Sequence, residues 1–537
     1  MRSERAMLVL AVAVVGAAGL APMLAVLAES VRVGGQFGLA HYGVLVRSTR
    51  QWQLLGHSVL LASLVAGMAT TIGLPLGVLM AKTDLPLRGT LAALFTFPFL
   101  LPPYVVAVGW FQVFGRGGIV GDWLGPAVAE RTHAILFGLS GTALVLASCL
   151  MPVVMLLTML FVRTVPPRLE EAARLAAPWG ATFIRVTIPL ILPGVLLGAL
   201  IVFLLALGEF AVPMFLRYDV YSVDSFTRFA ALYQPAVAAA ASVPLGLIAL
   251  LLVALERLFL RDRTYEIRFA ASAPDVLTAP LGRARFVLLG VVLLLGAVGV
   301  ALPLGSLAIR SAAPGVYPEA FARGWDALVR SLGYAAAGAT LLTVIGFALG
   351  YLIQRRALSI WRAVDSLTIL LFVLPSTVVG IGLIALWNRP TLGAVYGTAW
   401  LVLVGYVAQY TAVTSRATVA GLSAIPRAAE EAARLAGAGW FRRVALIVAP
   451  LASRSLCAAW IVAYLLCVRD TGLTMMIYPP GGDTLPVRTF TLMANGAPPL
   501  IAALCVMMIA AAVIPLGVIG LVFGDLRPGR QRAKAAW

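Results

Sequence analysis

Two pairs of glutamates stand out in a chain that is otherwise poor in charge. Glu170 and Glu171 open "EEAARLAAPWGATFIRVTIP", and Glu430 and Glu431 open "EEAARLAGAGWFRRVALIVAP". Each pair follows proline in a helix-starting position, in "TVPPRLEEAARLA" and "SAIPRAAEEAARLAG", where a missing N–H costs nothing. Ser423 is placed to cap the second copy, and acidic residues in a first turn favour the helix dipole. Each copy therefore predicts a short charged helix. The alanines, Ala172, Ala173 and Ala176 in one and Ala432, Ala433 and Ala436 in the other, leave a smooth face that another surface can approach closely. The glutamates, with Arg174 or Arg434, offer polar contacts at its edge. Gly437 suits a left-handed C-cap, whereas Ala177 and Pro178 end the first copy. One such helix would read as a solvated spacer between two apolar segments. Two with the same glutamates read as docking surfaces.

The other groups able to do chemistry are few. Glu209 and Asp470 fall in apolar stretches, and a carboxylate in hydrocarbon is costly unless it faces a cavity or a partner. They are expected to face a pathway or its outer gate, or else to pair with an arginine such as Arg469. Pro102, Pro103 and Pro375 interrupt apolar stretches, either as broken helices lining a passage or as simple kinks. Cys149, Cys457, Cys467 and Cys505 show no CxxC spacing and suit core packing, while His41, His57 and His133 are scattered, so no metal site is expected. A phosphate-binding loop needs two glycines and a lysine in fixed spacing. The lysines are Lys82 and Lys534; Leu76 and Ala81 stand where the glycines before Lys82 should be, and alanine follows Lys534. No catalytic constellation gathers, no catalytic residue is assigned, and ATP hydrolysis would have to come from another polypeptide.

The elements that carry these groups follow from composition. With mean hydropathy +0.98, 61% hydrophobic and 12% charged residues over 537 positions, the chain has too little polar surface to cover a soluble globule of this size. About twelve apolar stretches are long enough to cross hydrocarbon. They lie near 7–28, 57–81, 90–114, 136–162, 190–216, 236–258, 286–309, 331–354, 365–387, 398–414, 452–478 and 499–524. The first is read as a retained span, not a cleaved leader, because it is long enough to cross and its retention keeps the count even. The net charge of +18 is a topology signal. With the N-terminus inside, the basic clusters around Arg2/Arg5, Lys82/Arg88, Arg163 to Arg185, Arg261 to Arg285, Arg355 to Arg362, Arg427 to Arg443 and Arg527 to Lys534 all fall cytoplasmic. Both termini are then cytoplasmic, and no nucleic-acid motif accompanies the charge.

The doubled segment belongs to a larger repeat. "TTIGLPLGVLM" aligns with "TVIGFALGYLI", and "LPPYVVAVGW" with "LPSTVVGIGL", all at an offset of 273; the offset becomes 260 at Glu171 and Glu431, and 261 at Glu209 and Asp470. The outside loop "GRGGIVGDWLGPAVAERTHAI", longer in the first half, accounts for the change. The chain reads as an all-α integral membrane protein of two six-span halves, 1–265 and 286–537, joined by a cytoplasmic linker at 266–285. An even span count orients the halves alike, so both charged helices face the cytoplasm and a pathway is expected between the halves.

The pattern E-A-A, three residues, G, nine residues, I-x-L-P resembles the cytoplasmic "EAA" loop of binding-protein-dependent ABC importer permeases. The second copy, near 426–450, carries it as Glu431-Ala432-Ala433, Gly437, Ile447 and Pro450, with Ala449 at the leucine position. The first, near 166–189, has Glu171-Ala172-Ala173 and Ile188-Pro189 but Ala177 for the glycine and one residue fewer. The resemblance implies the type I importer fold, a coupling role for both loops, two copies of a cytoplasmic ATPase subunit that binds the ATP, a periplasmic or lipid-anchored binding protein, and a bacterial inner membrane with its lipid. Segments such as "GEFAVPMFLRYDVYSVDSFTRF" and "RDTGLTMMIYPPGGDTLPVRTFTL" are most similar to ferric-iron importers, with thiamine and polyamine importers as near relatives. In the second segment, Asp470 and Asp483-Thr484-Leu485 match the iron-type pattern "TLLLRP…DTL", with Thr474-Met475-Met476-Ile477 standing in for its middle. A rival class is an ion-driven secondary transporter built of parallel repeats.

Overall fold

The computed structural model describes residues 2–259 and 277–524, so part of the expected linker, with Arg261, Arg263 and Arg268, and the basic C-terminal cluster lie outside the described residues. Helix dominates; among the described residues the strand present is one antiparallel pair, Arg32–Val33 with Gln36–Phe37. Among the described residues, 8 helices are long and apolar enough to cross a membrane, or up to 11 if each of three bent pairs is one span. The stretch expected at 398–414 is the helix Ala399–Ser423, which falls outside that set. The reason is visible in its sequence: Gln409, Thr411, Thr414, Ser415 and Thr418 are polar and buried against neighbouring helices.

Each half is built round three helices packed on one another, Thr49–Lys82, Leu139–Val162 and Trp179–Gly208 in the first, Val316–Arg355, Ala399–Ser423 and Ser453–Arg469 in the second. Glycine permits the approach. A Cβ on Gly77 would lie 2.7 Å from the Met155 carbonyl oxygen, and one on Gly350 would lie 2.7 Å from that of Ser415. The two pairs stand at equivalent places in the repeat.

The halves exchange their leading helices. Arg5–Ser30 lies along the last helix of its own half, Pro235–Phe259, and along Ser376–Trp387 of the other. Ala284–Ser311 does the same with Pro498–Gly524 and Pro103–Phe114. A Cβ on Gly109 would sit 2.5 Å from the Pro303 carbonyl oxygen, and one on Gly382 would sit 2.5 Å from that of Pro22. Both leading helices carry one wide π turn, Gly16–Leu20 and Ala297–Ala301, just before that proline. The exchange reaches the cores: Ala11, Val15 and Ala18 are buried in the second half's core, Val292 and Val300 in the first's.

Besides the 78° bend between Trp440–Leu451 and Ser453–Arg469, two spans break more sharply. Arg88–Leu100 meets Pro103–Leu124 at 102°, and Trp361–Val373 meets Ser376–Trp387 at 108°. Such angles are breaks and not kinks. At each, a proline without an N–H holds an extended ψ, 133° at Pro102 and 136° at Pro375, so the helix cannot run through. Both breaks lie at the contact between the halves.

Candidate functional site

The first charged helix is Pro167–Ala176 and the second Arg427–Leu435. Ser423 does not cap the second: it ends the preceding helix, its hydroxyl donates to the Ala420 carbonyl (2.7 Å), and Pro426 occupies the N-cap. At that end the Ala429 N–H bonds the Pro426 carbonyl (3.2 Å).

The glutamates of each pair have opposite fates. Glu170 is fully buried and ion-paired with Lys82 (2.5 Å), itself 1% exposed, and it accepts a hydrogen bond from the Thr187 hydroxyl (2.8 Å). Glu430 pairs with Arg355 and accepts from the Tyr351 hydroxyl (3.0 Å). Lys82 and Arg355 are equivalent residues at the offset of 273, each in the last turn of a long helix where cations favour the dipole. The expectation that all four glutamates edge a docking face is therefore corrected: Glu170 and Glu430 staple the charged helices to the molecule, and Glu171 and Glu431 point outward.

The outward faces match. Glu171, Ala172, Leu175 and Ala176 are exposed, as are Glu431, Ala432, Leu435 and Ala436, while Ala173 and Ala433 are half-buried. Leu175 is 92% exposed and Leu435 90%. Sequence reasoning passed over these leucines; their recurrence in both copies of "EEAARL" was the available signal. The helices end differently. Gly437 adopts φ 80° and the Ala438 N–H returns to the Ala433 carbonyl (3.0 Å), the left-handed cap expected. Ala177 is extended, with Arg174 donating to its carbonyl (2.6 Å) while that guanidinium stacks on Trp179; Arg434 is exposed. Both helices share one face of the molecule with the start of the chain, since Leu8 packs with Trp440, and with the return from the linker, since the Leu281 N–H donates to Asp84.

Between the halves lies a cavity of about 140 Å³ lined by Pro103, Glu209, Pro375, Arg469 and Asp470, among others. Four of the five residues predicted for the pathway thus meet at one place, and the fifth, Pro102, is buried beside them. The carboxylates are not within spans, as expected from the sequence, but follow them: the helices end at Gly208 and Arg469. Each turns back to bond the chain that follows. Glu209 accepts from the Ala211 N–H (2.9 Å), and Asp470 accepts from the Thr474 N–H (2.8 Å), the Thr474 hydroxyl (2.6 Å) and the Tyr410 hydroxyl (2.6 Å). Asp470 does not pair with Arg469, which donates instead to the Phe99 carbonyl.

Farther along the Pro103–Phe114 helix is a wider pocket of about 650 Å³ bounded by Gln112, Arg116, His133, Arg217 and Met475. Burial, with Arg116 and Arg217 nearby, holds the His133 imidazole below its usual pKa. Asp483 of the iron-like segment is engaged by Arg330 (3.2 Å) and Arg488 (2.6 Å), a structural network at the start of the Leu485–Leu492 helix. Among the described residues no group of three His, Cys, Asp or Glu side chains is placed to hold a metal.

Residues 73–265 and 343–527 each match the family described as binding-protein-dependent transport system inner membrane component. The putative ferric transport system permease protein FbpB 1 of Haemophilus influenzae is 25% identical over 73% of this chain and 65% of its own length. The chain thus spans just under two thirds of that relative. The probable ABC transporter permease protein y4fN of Sinorhizobium fredii is 26% identical over 87% of both chains, and the molybdenum transport system permease protein ModB of Escherichia coli is 32% identical over 31% of this chain and 72% of its own.

Proposed function

The chain belongs to the binding-protein-dependent transport system inner membrane component family, and from that premise we propose that it is the permease subunit of an ATP-driven importer. In this reading it sits in a bacterial inner membrane with both termini cytoplasmic. It encloses the cargo pathway and docks two copies of a separate ATPase subunit, which bind the ATP, while a periplasmic or lipid-anchored binding protein delivers cargo. The observation that carries the proposal is the pair of matched outward faces, Glu171-Ala172-Leu175-Ala176 and Glu431-Ala432-Leu435-Ala436, each stapled from behind by an ion pair, buried in the first copy and half-buried in the second. A surface leucine almost wholly in water loses favourable burial unless a partner covers it, and the staple fixes the helix so that a push on its face reaches the long helix behind.

The test is assembly. The double substitution Glu171→Lys with Glu431→Lys, and separately Leu175→Asp with Leu435→Asp, should abolish copurification of the ATPase and cargo-stimulated ATP hydrolysis while leaving the thermal unfolding of the isolated chain unchanged. Survival of both properties in either double variant defeats the assignment. Made singly, Glu431→Lys should impair transport more than Glu171→Lys, because the second loop keeps the glycine cap and full spacing.

For cargo, ferric iron is the reading supported by the iron-like segments and by the ferric relative; thiamine, polyamines and, from the molybdenum relative, an oxyanion are the alternatives. Uptake of labelled ferric iron by cells carrying the complete transporter, competed by thiamine or molybdate, separates them. Transport by the chain alone in liposomes, driven by an ion gradient without any ATPase, would instead mark a secondary transporter.

A further inference from the structure

The two helix breaks are held differently. A break frees backbone carbonyls from the helix ladder, and in an apolar interior each needs a donor. In the second half Gln409 supplies it, donating from Nε2 to the carbonyls of Phe372 (3.2 Å) and Leu374 (2.9 Å). The equivalent position in the first half, at the offset of 260 that also relates Met155 to Ser415, is Cys149, and a thiol is a weak donor. There the Phe99 carbonyl, which corresponds to that of Phe372, is bonded by the Arg469 guanidinium from the opposite half, whose central carbon lies 4.7 Å over the Phe99 ring. The counterpart of Arg469 is Gly208. A Cβ there would lie 3.1 Å from the Pro375 Cα, so the backbone itself abuts the second break. The second break is satisfied within its own half, and at the first the Phe99 carbonyl is satisfied across the interface.

We propose that Arg469 is a positioning residue that latches the two halves shut at the waist of the pathway: its guanidinium, held by the Phe99 carbonyl and ring, must let go when the halves part. The same side chain places one positive charge in a cavity that Glu209 and Asp470 also line. Without it, the waist is loosened and the charged side chains left lining it are both carboxylates, so what leaks through is a cation. The coupling of this latch to ATP rests on the importer reading; the closure of the waist does not.

The experiment compares Arg469→Gly, Arg469→Lys and the pair Cys149→Gln with Arg469→Gly. The full chain is reconstituted alone in liposomes loaded with radioactive rubidium, and separately in the complete transporter. Arg469→Gly should speed rubidium loss roughly tenfold or more, the shift expected from losing one charge-assisted hydrogen bond, and should raise cargo-independent ATP hydrolysis. Arg469→Lys, which keeps the charge and a donor, should lie close to the natural chain. Cys149→Gln gives the first break its own in-half donor, as Gln409 does for the second, so in the pair thermal stability should return while the leak persists. Tight liposomes with Arg469→Gly overturn the proposal. So do tight liposomes with the pair, which would show that Arg469 serves only to satisfy a carbonyl; if Arg469→Gly alone does not fold, the pair decides. A rubidium leak with no ATPase partner found would uphold the latch and remove the importer reading.

Discussion

At the scale of single residues, the buried Lys82–Glu170 pair decides how the first charged helix is held. Each ion has given up its water, and each is compensated only while its partner stands opposite. Lys82→Met alone should therefore cost about 3–5 kcal/mol, the usual penalty for an orphaned buried charge, read as a loss of thermal stability in detergent. Pairing it with Glu170→Met should restore most of that loss, because two apolar side chains leave nothing uncompensated. If the double variant is as unstable as the single one, the pair is not what secures the helix. The glutamate pairs were legible in the sequence, but not their opposite roles. Adjacent residues on a helix point about 100° apart, and which of them turns inward depends on the rotation of the helix against Lys82, a residue some ninety positions away in the chain. Glu209 and Asp470 meet at the cavity between the halves, and each follows the end of its helix instead of lying within a span, because a hydropathy window runs on through the apolar residues after a helix has ended.

At the scale of elements, glycines and prolines mark where helices meet and where they stop. Gly109 and Gly382 were found as markers of the repeat. Their contact partners, the carbonyls of Pro303 and Pro22, were hidden because each sits on the exchanged helix of the opposite half. Backbone oxygen does not yield as a flexible side chain does, so Gly109→Ala and Gly382→Ala should each cost about 1–3 kcal/mol through overpacking and lower the temperature of thermal unfolding. Gly56→Ala, at a helical glycine with open space beside it, should cost nothing or add slightly to helix stability. Equal effects at all three sites would mean that the leading helices do not press on the broken spans. The angle of the breaks was also beyond the sequence, since a lone proline in an apolar run reads equally as a kink.

At the scale of the molecule, the doubled architecture was legible from a constant offset, while the exchange of leading helices was not, because no periodicity records which copy of a groove a helix fills. Each half completes its core with residues of the other, so the two are not separable bodies. Segments 1–259 and 277–537, produced as two polypeptides in one membrane, should copurify, and either alone should be degraded or aggregate. Accumulation of a lone half in stable form would contradict the exchange. The exchange also sets a timetable for synthesis. The helix Arg5–Ser30 is made well before its groove: the one along Ser376–Trp387 that receives it emerges about 350 residues later, a delay on the order of tens of seconds at ordinary translation rates. Through that interval Pro22 lacks the Gly382 backbone that its carbonyl abuts, and an early helix waits for a late one before either half is finished.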